Sequence, residues 1–286
     1  MEWKTSSVRD ATGVGFDVIE HEELVSPANA KKIEPEQQLK DIKDFLYQDH
    51  DILLCSYPKT GSHWFNNIVH FLVHPGPVND IMSVSPKNLD LLPVEMVAQQ
   101  TPPRIILSHL GPSRLPTDHL QNGGKIILIT RNPRDTMVAN RYHVMKHEIF
   151  DRAEMEWGAF FKFWIDGKIP PGNYFNYFGS WKKFIADQKP NVLVVHYENM
   201  ILNGVSELRR ISDFLQVTNS DERLKQIQER CSLSTPQQVG TSGKVHGTPL
   251  KDKYGLNGHW KQHFTVAQSE EFDTVEAMHK ESIFQI

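Results

Sequence analysis

Residues 51–64 read DILLCSYPKTGSHW. The apolar run from Ile52 to Cys55 breaks at Ser56 into a stretch with Pro58, Lys59, Gly61 and Ser62. Phe65, Ile68, Val69, Phe71 and Leu72 then recur at helical spacing. A strand that ends in such a turn and enters a helix presents free N–H groups and the positive end of a helix dipole to whatever sits there. In open α/β sheets ligands lie beyond the carboxyl ends of the strands. Gly61 permits close backbone approach, and Lys59 with the hydroxyls of Thr60 and Ser62 adds donors. The stretch therefore predicts an anion site. Its lysine precedes the glycine by two residues, so it is not the GxxxxGK[ST] triphosphate loop, and no acidic partner for Mg²⁺ is evident. A plain strand-to-helix turn with a solvated lysine fits the local composition equally well.

Working outward, PRIILSHL (103–110), KIILITR (125–131) and NVLVVHYE (191–198) repeat the short apolar form. Helical patterns lie between and around them, over 62–73, 133–147 and 205–216, and over EPEQQLKDIKDFLY (34–47) nearer the N-terminus. Strands that are apolar throughout, alternating with helices, predict a three-layer α/β/α fold with a central, mostly parallel sheet. Residues 75–103 read as loop with short helices. Residues 148–184 hold a dense aromatic cluster that suits a core or an apolar pocket. Residues 234–258 have no period, and a loop that long predicts function or disorder. The end returns to a helix with Phe272, Val275 and Met278 on one face.

The chain has 286 residues, 39% hydrophobic and 23% charged, with no dividing linker and no repeat, which predicts a single domain over 1–286. A formal charge of -4 argues against bulk attraction to nucleic acid or an anionic membrane, so an anion site must be local. Two cysteines, Cys55 and Cys231, make no disulfide framework and suit a reducing compartment. The first twenty residues have no signal-peptide apolar core, and no run reaches the ~18 apolar residues of a membrane span. The expectation is a cytoplasmic protein.

Taken together, YPKTGSHW, PRIILSHL, RNPRD, HYEN and KYGLNGHWKQHFTVAQSE resemble, in order and spacing over almost the whole chain, the cytosolic sulfotransferase family. That family transfers a sulfuryl group from 3′-phosphoadenosine 5′-phosphosulfate (PAPS) to a hydroxyl or amine. The resemblance implies PAPS as co-substrate, no metal, and a phosphosulfate held by the strand-loop-helix. A sulfuryl group carries less negative charge than a terminal phosphoryl group, so a lysine and N–H donors can stand where kinases use Mg²⁺. By resemblance His109 is the general base, an imidazole whose ordinary pKa near ~6.5 suits the task. Lys59 stabilises the leaving phosphate, and Lys59, Thr60, Gly61, Ser62 and His63 hold the phosphosulfate. Trp64 and Tyr197 contact adenine, with Cys231 beside it. Arg131, Lys253, Tyr254 and Gly255 hold the 3′-phosphate end. Lys261, Thr265, Val266 and Glu270 match the KxxxTVxxxE segment through which the family makes homodimers.

The chain departs from the family pattern at several of these places. His63 replaces a threonine, Leu107 a lysine, Ser108 a threonine, Ala139 a phosphate-binding serine, Leu233 a phenylalanine, and Lys253-Tyr254 an Arg-Lys pair. Two further readings therefore stand beside the transferase: a weak or inactive PAPS-binding pseudoenzyme, motivated by Leu107, Ala139 and Tyr254, and a nucleotide kinase, opposed by the missing triphosphate loop. The sequence leaves the acceptor open among phenols, steroids, alcohols and amines.

Overall fold

The run Ile52–Ser56 is buried at every position, as a strand covered on both faces must be. Its side chains alternate between two apolar clusters: Leu53 and Cys55 enter one, Ile52 and Leu54 the other. Ile126 and Leu128 part from Ile127 and Ile129 in the same way, and Ile106 from Ile105 and Leu107. Replacing one such buried leucine by alanine costs about 2–5 kcal/mol, so these alternations hold the sheet in register.

The computed structural model describes residues 3–30, 34–77, 86–188, 191–232 and 257–284. In chain order the strands are β1 (Lys4–Arg9), β2 (Gly15–His21), β3 (Leu24–Pro27), β4 (Ile52–Ser56), β5 (Lys87–Asn88), β6 (Ile105–Ser108), β7 (Lys125–Thr130) and β8 (Val192–His196). The helices are α1 (Pro35–Lys43), α2 (Ser62–Val73), α3 (Val94–Ala98), α4 (Thr117–Gln121), α5 (Pro133–Lys146), α6 (Trp157–Ile165), α7 (Tyr174–Gln188), α8 (Tyr197–Leu202), α9 (Gly204–Leu215), α10 (Asp221–Arg230) and α11 (Val266–Met278). Strands β5-β6-β4-β7-β8 form a parallel sheet in that order. The chain starts this sheet at its centre, runs out one way to β6, then crosses to β7 and β8. The strand order reverses at β4, so the loop after β4 stands at the switch point.

One cluster joins the sheet to α6, α7, Phe272 of α11 and the N-terminal strands. The other joins it to α2, α9 and α10. The layers are α/β/α, as the apolar runs predict. Cys55 and Cys231 are free, buried and in different clusters. Among the described residues no helix is long and apolar enough to cross a membrane.

A second sheet, antiparallel β1-β2-β3, is not foreseen by the apolar runs. Its buried apolar side chains are Val8, Phe16, Val18, Leu24, Val25 and Pro27, and Phe16 packs edge-on against Phe150 at 5.0 Å. Its first turn is set by Asp10, whose Oδ1 accepts from the N–H of Thr12 and of Val14 while Gly13 takes φ 84°. Helix α1 is shorter than its pattern predicts: it stops at Lys43, Phe45 turns inward beyond it and Leu46 is exposed. In α11 Phe272 is buried and Val275 half-buried, but Met278 is exposed. Six residues beyond Phe272, at 3.6 residues per turn, Met278 falls well off the stripe. Helix α10 is marked by a Ser220 cap to the Arg223 N–H and by Asp221 and Glu222 in its first turn.

Candidate active site

The loop after β4 folds as a tight turn. Thr60 N–H and Thr60 Oγ1 both donate to the Tyr57 carbonyl, at 3.3 and 2.8 Å. The Thr60 hydroxyl thus turns back into the loop. Gly61 takes φ 104° and ψ 15° as the residue before α2, where a Cβ would lie 2.7 Å from the Tyr197 ring. Only glycine fits that turn without moving the ring. No side chain caps α2, so its first N–H groups keep their capacity to meet an anion. Ser62 opens the helix and is buried.

Lys59 has φ 73°, a left-handed conformation that costs a lysine roughly 1–2 kcal/mol. The Arg131 guanidinium holds it there: Nη1 donates to the Lys59 carbonyl at 2.9 Å. Arg131 leaves the end of β7, is 5% exposed and stacks over the Tyr197 ring at 4.4 Å. Tyr197 meets Trp64 edge-on at 5.1 Å, and Trp64 Nε1 donates to the Cys231 carbonyl at 2.6 Å. The structure thus brings Lys59, Gly61, Trp64, Arg131, Tyr197 and Cys231 into one connected group from four strand or helix ends. Cys231 joins it through its backbone, and burial pushes its thiol up to about 12. Lys253, Tyr254 and Gly255 lie outside the described residues, as does Leu233.

His109 follows β6, the neighbour of β4. Its Nδ1 lies 2.7 Å from the Ser56 carbonyl oxygen, which can only accept, so Nδ1 carries the hydrogen. In the neutral ring Nε2 is then an open lone pair, the form a general base needs. The backbone beneath it is fixed by Asp90: Oδ2 accepts from His109 N–H at 2.5 Å and Oδ1 from the Ser108 hydroxyl at 2.8 Å. No sequence period marks Asp90. His63, at the first turn of α2, is exposed on one side and desolvated by protein on the other. That desolvation, more than the Lys59 charge or His109, pushes its pKa down to about 4. Leu107 is buried in the α2-side apolar cluster, and Ala139 is buried on α5.

The other missed residues are Arg134 and Asp135. Asn132 caps α5 by accepting from their N–H groups, with Pro133 in the first turn. Asp135, 1% exposed, accepts from Gly258 N–H at 2.7 Å and Trp260 N–H at 3.0 Å. Arg134 pairs with Asp273 at 2.5 Å and with Glu276, and lies over Trp260 and Phe272 at 4.8 and 4.9 Å. These two residues fasten the C-terminal segment to the α5 end beside Arg131. A cavity of about 400 Å³ at the ends of β7 and β8 is lined by Arg131, Tyr174, His196, Glu276 and Phe284 among others, and by none of residues 56–64. It belongs to the α7 and α11 side, and neither Lys59 nor His109 lines it.

A parallel sheet with an uncapped helix at its switch point, a lysine there and an imidazole at the next strand end is an arrangement suited to an anion-binding group-transfer protein. Residues 49–280 match the sulfotransferase domain, and the chain belongs to the sulfotransferase family. It is 31% identical over 247 residues to sulfotransferase 6B1 of Danio rerio, covering 84% of this chain and 82% of that one. It is 30% identical over 258 residues to the 3-alpha-hydroxysteroid sulfotransferase of Cavia porcellus, covering 83% and 86%. In fold it is similar to mouse sulfotransferase SULT7A1 complexed with PAP, at a TM-score of 0.76 and 24% identity over 92% of this chain and 94% of that one. It is similar also to a retinol dehydratase in complex with androsterone and PAP, at 0.77 and 15% over 98% and 96%.

Proposed function

We propose that the protein transfers the sulfuryl group of PAPS to a hydroxyl, or an amine, of a small and largely apolar acceptor. The observation that carries this is the pairing of Lys59 and His109 at the ends of adjacent strands, with His109 Nδ1 bound to Ser56 and Nε2 left to take a proton. The nearest support for the acceptor class is the relative that acts on a 3-alpha-hydroxysteroid. The residues present fit the nucleotide: an uncapped helix N-terminus and a buried guanidinium beside an aromatic pair form a site for an anionic purine nucleotide.

PAPS supplies an activated sulfuryl group whose bond to the bridging oxygen breaks as the acceptor oxygen attacks sulfur. His109 Nε2 takes the proton that the acceptor oxygen loses. The Lys59 ammonium and the first N–H groups of α2 stabilise the charge that grows on the leaving phosphate. Arg131 reads the 3′-phosphate, Trp64 and Tyr197 the adenine, with Lys253, Tyr254 and Gly255 completing that end. No metal is needed for this charge balance.

His109→Ala is expected to lower turnover of labelled PAPS by at least about a hundredfold while PAP affinity stays within a factor of two or so. Wild-type turnover in the variant removes His109 as base. PAP binding without turnover by the wild type, over a broad acceptor panel, would instead favour the pseudoenzyme. The homodimer is proposed through Lys261, Thr265, Val266 and Glu270: Val266 is 77% exposed beside the Thr265–Gln268 capping box of α11. Val266→Glu should convert dimer to monomer in light scattering; a monomeric wild type at micromolar concentration rules the contact out.

A further inference from the structure

Strand β6 ends at Ser108 and His109 is the next residue, so the direction of the imidazole depends on how the chain leaves the strand. On its outer side β6 has only the short β5, which pairs Lys87 with Ile106 and Asn88 with Leu107. The Leu89 N–H still donates to the Leu107 carbonyl at 2.8 Å, and there the ladder stops. Backbone N–H groups beyond a ladder need other acceptors. Asp90 supplies them. Its Oδ2 accepts from the His109 N–H at 2.5 Å and its Oδ1 from the Ser108 hydroxyl at 2.8 Å. The Ser108 oxygen in turn accepts from the Leu110 N–H at 3.1 Å. One carboxylate thus holds two successive N–H groups, the first directly and the second through a hydroxyl.

Asp90 is itself held in place. Its N–H donates to Asn88 Oδ1 at 2.8 Å, and the N–H groups of Leu91 and Leu92 donate to the Asn88 carbonyl at 3.3 and 3.1 Å. Gln38 of α1, 5% exposed, clamps the same turn: its Nε2 donates to the carbonyls of Leu89 and Leu92 at 2.8 and 2.9 Å. The imidazole is tied from the other side, where Nδ1–H donates to the Ser56 carbonyl at 2.7 Å. Asp90 fixes the backbone from the β5 side and Ser56 turns the ring from the β4 side. The direction of the Nε2 lone pair follows from the two together. A base works only within hydrogen-bond reach of the proton it takes, and a misplacement of about 1 Å can cost on the order of a hundredfold.

We propose that Asp90 is a positioning residue for the base. Its carboxylate, seated by Gln38, keeps the His109 lone pair aimed at the acceptor proton, and it acts through His109 rather than on the acceptor or the nucleotide. The proposal rests on the reading of His109 as base given above and extends it to the turn after β5.

The test compares two acceptors on one ring frame. Phenol keeps its proton at neutral pH and needs a base, whereas pentafluorophenol is ionised there and needs none. Turnover of both with PAPS is measured for the wild type, Asp90→Asn, Asp90→Ala and Gln38→Met. Asp90→Asn keeps the shape but exchanges one accepting oxygen for an NH₂ that cannot accept. It should lower kcat with phenol by about tenfold or more and kcat with pentafluorophenol by no more than about threefold, with PAP affinity within about twofold. Asp90→Ala should show the same split more strongly and Gln38→Met more weakly. An equal loss with both acceptors, or no loss with phenol in either Asp90 variant, overturns the proposal and leaves His109 as base. His109→Ala is measured alongside: wild-type turnover of phenol there removes the base reading, and this proposal with it. Nitrogen NMR of histidine-labelled protein reads the ring without turnover, the His109 signal being the one lost in His109→Ala. The wild type should show the Nδ1–H tautomer, and Asp90→Asn a mixture of both. A His109 signal unchanged in both Asp90 variants overturns the proposal even where neither phenol is an acceptor.

Discussion

At the scale of the residue, the site turns on contacts made to one ring. Tyr197 receives the Arg131 guanidinium on its face and the Trp64 edge, and its Cδ2 fills the space a Cβ at position 61 would need. Gly61→Ala meets two obstacles: a left-handed φ of 104° and a carbon 2.7 Å from that ring. The first costs about 1–2 kcal/mol. The second must move Tyr197, and with it the guanidinium stacked upon it. The expected outcome is a loss of roughly 1–3 kcal/mol in denaturant unfolding together with weaker PAP binding in titration. A variant with wild-type values in both would show that the loop has slack the geometry does not suggest. Much of this residue scale is legible in the sequence: Lys59, Gly61, Trp64 and His109 stand in runs whose local pattern predicts an anion turn and a strand end. Asp90, Asp135 and Arg134 are not legible. They work by accepting from, or pairing with, groups that only the fold brings near, such as Gly258 N–H at position 135, and no local spacing encodes that.

At the scale of the element, strands β4, β6 and β7 are readable because each is buried on both faces, which forces an unbroken apolar run, and β8, half-buried at the sheet edge, keeps such a run over Val192–Val195. Strand β1 needs only Val8 inward, and the polar KTSSVR hides it. Helix α2 has a consequence for acid stability. It carries His63 and His70, both pushed down to about 4, chiefly by desolvation. A group whose folded pKa is depressed from an ordinary ~6.5 binds protons more readily in the unfolded chain. Stability is then whole above about 6.5 and falls as the pH drops towards 4. His74, His119, His143 and His196 are lowered too, for the same leading reason. Glu198 and Glu276 are raised by burial and act in the opposite sense. Six imidazoles against two carboxyls set the sign, so the melting temperature should fall between pH 7 and pH 5. A melting temperature that rises over that interval would mean the imidazoles are solvated and charged in the folded state.

At the scale of the whole molecule, two apolar clusters separated by one parallel sheet place Lys59, Trp64, Arg131 and Tyr197, which the proposed function sets against the nucleotide, at one edge, while the antiparallel N-terminal sheet closes over the aromatic side. Arg104 and Asp51, 1% and 0% exposed and bidentate, tie the starts of β6 and β4 together at the opposite edge. The three-layer architecture follows from strand and helix alternation alone. The fastening of α11 to α5 does not, because the Arg134 pairs with Asp273 and Glu276 span most of half the chain.

The bond from Trp64 Nε1 to the Cys231 carbonyl joins residues 167 apart. On a ribosome adding about 5–20 residues per second, roughly 8 to 33 seconds separate the synthesis of the indole from that of its partner. The loop around Lys59 is translated early, yet the Trp64–Cys231 side of the group cannot close until α10 has emerged. On the proposed function, the nascent chain in that interval holds the Lys59 loop with no complete nucleotide site behind it, so PAP is expected to stabilise the finished protein but not its first two-thirds.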